Sequence, residues 1–266
     1  MSVAGYFASA LIGVSLGIIG GGGSILTVPV LVYLFRSDPD IATVYSLFIV
    51  GATSTVGSVS YFRKGLVNTR IALVFGIPSV IAVFISRTYI VPAIPQQLFR
   101  LGHFPVTRDL LLLSLFAVLM IAAAYSMIRK KRRQADAVAG HHSYNYPLML
   151  SQSIALGLVT GLLGAGGGFL IIPVLVNGLR LPIRQAIGTS LVIIGINSLV
   201  GFSFSLHHYS IHWFFLASIT AITILGIITG SRLSSRIDQR KLKPAFGWFI
   251  LVMGLYILVK EISSIM

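Results

Sequence analysis

Two short stretches hold the residues best suited to chemistry in this sequence: "GIIGGGGS" at residues 17–24 and "GLLGAGGG" at residues 161–168. Glycine is about 1 kcal/mol worse than alanine inside a helix, so each run must interrupt the apolar helix in which it lies. Bare backbone of this kind can hold an anion. The first N–H groups of the helix that follows lack partners, and the helix dipole adds roughly half a positive charge there. Glycine lets a ligand come close to those groups and lets them converge. Gly21, Gly22 and Gly23 in the first run, and Gly166, Gly167 and Gly168 in the second, are the candidate donors. Ser24 adds a hydroxyl, as helix N-cap or as ligand donor. Glycine also serves close helix packing, but then it recurs every fourth residue, as at Gly13 and Gly17. Consecutive glycines do not fit that pattern.

A second polar set lies further along. Ser46 and Thr53 are seven residues apart, as are Ser190 and Asn197, so each pair shares one helical face. Thr189 and Ser198 extend the second set. Such a small, polar face suits a substrate cavity, and it suits hydrogen bonding between helices equally well.

The elements that position these residues form a duplicated unit. At an offset of 144 residues, ten of twenty positions between 13–32 and 157–176 are identical, including "PVLV" from Pro29 and from Pro173. Without a gap, the same offset carries Ala42, Ser46, Leu47, Gly51, Ser54 and Gly57 onto Ala186, Ser190, Leu191, Gly195, Ser198 and Gly201. Ordered glycines and prolines at a fixed spacing mark an internal repeat. The first unit spans 1–128 and the second 147–266, with a basic polar linker at 129–146.

Composition fixes the setting. Of the 266 residues 56% are hydrophobic and 10% charged, and the mean hydropathy is +0.93. Charge-free runs such as 1–35, 41–62 and 137–179 are long enough to cross a bilayer. The expected fold is therefore an all-α polytopic membrane protein, since an unclosed sheet leaves its backbone unsatisfied in lipid. The start of the chain, without a basic leader region, reads as a retained membrane segment. Helices are expected at 3–20, 25–35, 42–62, 69–91 and 107–128, then at 147–164, 168–178, 185–206, 211–231 and 244–262. The segments at 25–35 and 168–178 reach only about 16 Å, half a bilayer.

Either each half-helix completes a kinked crossing, or the chain turns back at the glycines. If it turns back, the loops at 62–70, 129–146, 179–185 and 232–243 share one side and carry 15 of the 20 Lys and Arg. A kinked crossing divides them almost evenly. The positive-inside bias therefore favours turning back, which puts both termini outside and makes the two repeats inverted. The two glycine tips then enter from opposite faces and meet near the midplane. The net charge of +14 is accounted for by these loops and calls for no nucleic acid.

The paired "GIIGGGGSILTVPVLV" and "GLLGAGGGFLIIPVLV", with "SLFIVGATSTVGS" and "SLVIIGINSLVGF" behind them, resemble the sulfite exporter TauE/SafE family, also called toluene sulfonate uptake permeases. The likeness covers nearly the whole chain. It implies an inner-membrane transporter of bacterial or archaeal type for sulfur-containing anions such as sulfite, thiosulfate, sulfonates or sulfoacetate. Ala165 opposite Gly21 and Gly168 opposite Ser24 depart from strict repetition, so the two tips need not contribute equally.

All six acidic residues, Asp38, Asp40, Asp109, Asp136, Asp238 and Glu261, fall in loops or near helix ends, which argues against a proton relay through a carboxylate in the membrane. A proton or Na⁺ held by carbonyls and hydroxyls remains an open coupling partner. The chain has no cysteine, no His-x-x-Glu-His pattern and no Gly-Lys-Ser/Thr after its glycines, so thiol chemistry, that metal motif and a P-loop are excluded, and no cofactor is expected. The expected function is a secondary carrier for sulfur-containing anions working by alternating access. An anion channel with a continuous pore is the alternative.

Overall fold

A computed structural model of the chain describes residues 3–101, 104–128, 146–164, 166–179, 181–206, 209–233 and 239–263. The first repeat comprises α1 (Val3–Ile19), the half-helix α2 (Gly21–Leu34), α3 (Pro39–Arg63), α4 (Thr69–Ala93) and α5 (Arg108–Ile128). The second comprises α6 (Tyr146–Leu163), the half-helix α7 (168–178), α8 (Ile183–Ser205), α9 (Trp213–Leu233) and α10 (Gln239–Ser263). Among the described residues, α3, α4, α6, α8 and α9 are each long and apolar enough to cross a membrane. This is the multi-pass helical architecture expected from composition. Phe7, Leu225 and Phe214 project outward from these helices, as lipid-facing side chains do.

One departure lies between α4 and α5. A two-stranded antiparallel hairpin, β1 (Gln97–Leu101) and β2 (Phe104–Thr107), occupies the segment expected to be a plain loop. The linker at 129–145 and Ala165 lie outside the described residues.

The chain turns back at both glycine runs. A Cβ placed on Gly23 would lie 2.5 Å from the backbone N of Leu16, and one on Gly5 would strike the ring of Phe35, so α2 retraces α1 toward its start. Tyr6 and Phe35 meet edge to face, with centroids 5.5 Å apart. In the second repeat Gly167 packs on Thr160 and Gly178 lies near Gln152, so α7 retraces α6. Gly20 and its repeat equivalent Gly164 make the reversals, with φ of 77° and 66°, where a side chain would be strained. After Pro29 and Pro173 both half-helices loosen into π-helical turns, Val30–Leu34 and Val174–Gly178. A proline removes one hydrogen-bond donor, and a wider turn is one way to accommodate the loss.

The repeats interlock. α1 packs along α9, and its equivalent α6 packs along α4. Gly13 and Gly17 of α1 lie on Thr223, Gly226 and Gly230 of α9, while Gly157 and Gly161 of α6 lie on Ser79, Ala82 and Ser86 of α4. Shifting either set by 144 reproduces contacts of the other. These pairs run parallel, with small residues allowing close backbone approach, the packing role expected of Gly13 and Gly17. α3 and α8, also repeat equivalents, run antiparallel: Gly51 meets Leu199, Gly195 meets Thr55 and Gly201 meets Leu47.

Candidate anion-binding site

The two half-helices begin against one another. A Cβ on Gly21 would lie 2.5 Å from Gly168 Cα, and Ile194 Cδ1 presses on both glycines. Backbone contact this close is available only to glycine. The tips therefore meet inside the bundle, with Gly21, Gly22, Gly23, Ser24 and Gly166, Gly167, Gly168 all buried.

The two starts differ in detail. In the first repeat the helix begins at Gly21, four residues earlier than its apolar pattern predicts, because Gly21–Leu26 wind into a tight 3₁₀ turn. Ser24 is consequently not the N-cap. That position belongs to Gly20, and the Ser24 hydroxyl donates to the Gly21 carbonyl at 2.7 Å. In the second repeat Gly167 caps α7 in the left-handed conformation, and Gly166 also has a positive φ, of 67°. The second tip is the more polar. Gly166 lies near Ser198 Oγ and Gly167 against Thr160 Oγ1, and neither hydroxyl has a hydrogen-bond partner among the described residues.

The polar face of α3 and α8 divides. Ser46 and Thr53 are fully buried with unpartnered hydroxyls, as is Ser54. Ser190 bonds back to the Ile187 carbonyl at 2.9 Å. Asn197 donates to Ser79 Oγ at 2.6 Å, linking α8 to α4, and its Oδ1 is unpartnered. Thr189 lies elsewhere in its contacts: its hydroxyl accepts from Asn68 N–H at 2.9 Å, at the start of α4. Buried hydroxyls without partners carry a desolvation cost, which a ligand able to accept from them removes.

A charged residue outside the expected site also lies beside it. Arg87 lies within α4, on the π-helical turn Ser86–Ile90, and is only 6% exposed. Its Nη1 donates to Thr43 Oγ1 at 3.4 Å, while Nε and Nη2 have no partner among the described residues. A Cβ on Gly164 would sit 2.6 Å from Nη2, so the guanidinium packs directly on the turn that opens the second glycine run. The signal in the sequence is a lone arginine within "IPSVIAVFISRTYIVPAI", inside the helix expected at 69–91. One turn away Asp40, at the start of α3, forms a partly buried ion pair with Arg108. Tyr209 lies close by in the loop before α9. Burial first, and then the charge of Asp40, raise its phenol above the usual range, so it stays neutral. A cleft lined by Val28, Asp40, Thr43, Phe116 and Leu163 adjoins this group, with room for about one water molecule.

Comparison with known proteins gives a consistent picture. A family model described as "Sulfite exporter TauE/SafE" matches residues 6–257. A probable membrane transporter protein of Xylella fastidiosa is 29% identical over 260 residues, covering 96% of this chain and 94% of that protein. One of Methanocaldococcus jannaschii is 26% identical over 270 residues, with 94% of each covered. The probable membrane transporter protein YunE of Bacillus subtilis is 23% identical over 261 residues, with 93% of each covered.

Proposed function

Since the chain belongs to the sulfite exporter TauE/SafE family and is a multi-pass membrane transporter, we propose that it is a secondary carrier for sulfur-containing oxyanions, sulfite, thiosulfate or a small organosulfonate, in the cytoplasmic membrane. The observation that carries this reading is the meeting of two half-helix N-termini at Gly21 and Gly168 among unpartnered buried hydroxyls. A tetrahedral or pyramidal oxyanion has acceptors on every side, and backbone N–H groups with hydroxyls supply donors without a fixed cation at the tips. Binding stays reversible for that reason.

The repeats are inverted in this reading, with both termini outside. Antiparallel packing of the equivalent helices α3 and α8 supports it, since two units related by an axis along the membrane normal would run them parallel. The tips close on each other in the middle of the bundle, and rocking one interlocked half against the other would open them to each side in turn. Such movement is alternating access.

The test is flux in proteoliposomes. Vesicles loaded with unlabelled sulfite should accumulate ³⁵S-sulfite transiently by counterflow, with an initial rate that saturates. Flux that rises linearly with concentration and shows no counterflow would make the protein a channel. No flux of sulfite, thiosulfate or sulfoacetate would remove the substrate assignment.

A further inference from the structure

We propose that Arg87 is an oxyanion-binding residue, forming with Thr43 and the Gly164 turn a second station on the path between the outer ends of α3 and α4 and the glycine tips. The proposal rests on the anion-carrier reading and adds the residue that supplies charge.

Its first support is the guanidinium's own hydrogen bonding. Arginine has five donors and no acceptor, and it does not lose its proton in proteins. Among the described residues only Nη1 is engaged, with a neutral hydroxyl, while Nε and Nη2 are buried and unpartnered. Those two nitrogens form one edge of the planar group, spaced to take two oxygens of a single oxyanion in parallel bonds. The carboxylate nearest in the fold, Asp40, is held by Arg108. Thr43, which receives Nη1, and Tyr209, which lies near, are neutral. Burying a cation costs several kcal/mol, and an oxyanion taking Nε and Nη2 would offset part of that cost.

The second support comes from the internal repeat. Gly164 corresponds to Gly20, Thr43 to Ile187 and Arg87 to Ser231 at the 144-residue offset. The structure honours the correspondence: Thr43 packs on Gly164 as Ile187 Cγ2 packs on Gly20, the latter 2.7 Å from a Cβ there. One reversal is thus sealed by an aliphatic side chain and the other carries a guanidinium. The scaffold evidently manages the reversal without an arginine, so the charge at 87 answers to something other than folding. It also lies on a π-helical turn, a local distortion that re-aims a side chain and recurs at functional sites.

The test measures anion-dependent thermal stabilisation of the purified full-length protein in detergent. Sulfite, thiosulfate, sulfoacetate, sulfate and chloride are the probes, applied to wild type, Arg87→Met and Arg87→Lys. The expected result is stabilisation of wild type by one or more sulfur oxyanions. Arg87→Met should weaken the apparent Kd about 10- to 100-fold, with an anion-free melting temperature equal to or above wild type because an uncompensated buried charge is gone. Arg87→Lys keeps the charge but loses the two-point fork, and should sit between them with less preference for oxyanions over chloride. Unchanged affinity in either variant overturns the assignment and leaves the carrier reading in place. An Arg87→Met protein that does not fold, or that melts lower without anion and is restored by Lys, makes the residue structural and also overturns it. Stabilisation by chloride alone, lost in Arg87→Met, would show an anion site at Arg87 but overturn its assignment to oxyanions, and with it the sulfur assignment. If no anion stabilises wild type, both readings fall.

Discussion

Replacing Gly168 by alanine should separate the two half-helix tips. The added Cβ would lie 2.5 Å from Gly21 Cα and closer still to the Gly21 carbonyl oxygen. Carbon atoms rest at about 3.5–4.0 Å, so the backbones must part by roughly 1 Å, and neither can rotate away as a side chain would. Overpacking of this kind costs about 1–3 kcal/mol. Alanine recovers part of that, since it is about 1 kcal/mol better than glycine in a helix. The net loss is about 0–2 kcal/mol, or at most roughly 8 °C in melting temperature for a chain of this size. Transport should suffer more than stability, because a shift of 1 Å at a binding site can reduce rates by about 100-fold. Gly76→Ala is the control: it lies within α4 with its nearest neighbour, Ile193, 3.8 Å from the new Cβ. That variant should be at least as stable as wild type and equally active. Thermal melts and initial ³⁵S-sulfite uptake rates read both quantities. A Gly168→Ala protein matching Gly76→Ala in each assay would refute the close meeting of the tips as the basis of the site.

Three further outcomes are expected. Gly13→Ala forces α1 from the backbone of α9 at Thr223 and Gly226, so it should lower stability by about 1–3 kcal/mol; sulfite affinity per folded molecule, measured by titration, should not change. Asn197→Ala leaves the Ser79 hydroxyl buried and unbonded, a loss of about 1–3 kcal/mol in thermal unfolding that Asn197→Ala with Ser79→Ala should partly restore. Reporter fusions at each end should both be extracytoplasmic, and a cytoplasmic N-terminus would discard the inverted arrangement.

Much of this architecture can be read from the chain because lipid permits few alternatives. Apolar runs had to be helices, and the repeat at 144 residues fixes which helices are equivalent. The turning back at the glycines followed from the placement of lysine and arginine alone. The sequence does not convey whether a charge in the last turns of a helix faces outward or inward: the helix expected at 69–91 does run through Arg87, to Ala93, but the side chain is buried because Thr43 and Gly164 of neighbouring elements receive it. Nor does composition separate Ser190, which bonds its own helix, from Ser46, which has no partner. Both positions repeat, and only the local backbone distinguishes them. The β1–β2 hairpin went unseen because five- and four-residue strands carry too little periodicity against so apolar a background.

The crosswise pairing of α1 with α9 and of α6 with α4 gives the molecule the character of a swapped dimer written into one chain. Each repeat lends its opening helix to the other and receives one in return. Neither half can then close its small-residue grooves by itself, so α1 waits about two hundred residues for its companion. A cell that made the halves as separate chains should obtain function only from both together, and either half alone would seek a second copy of itself.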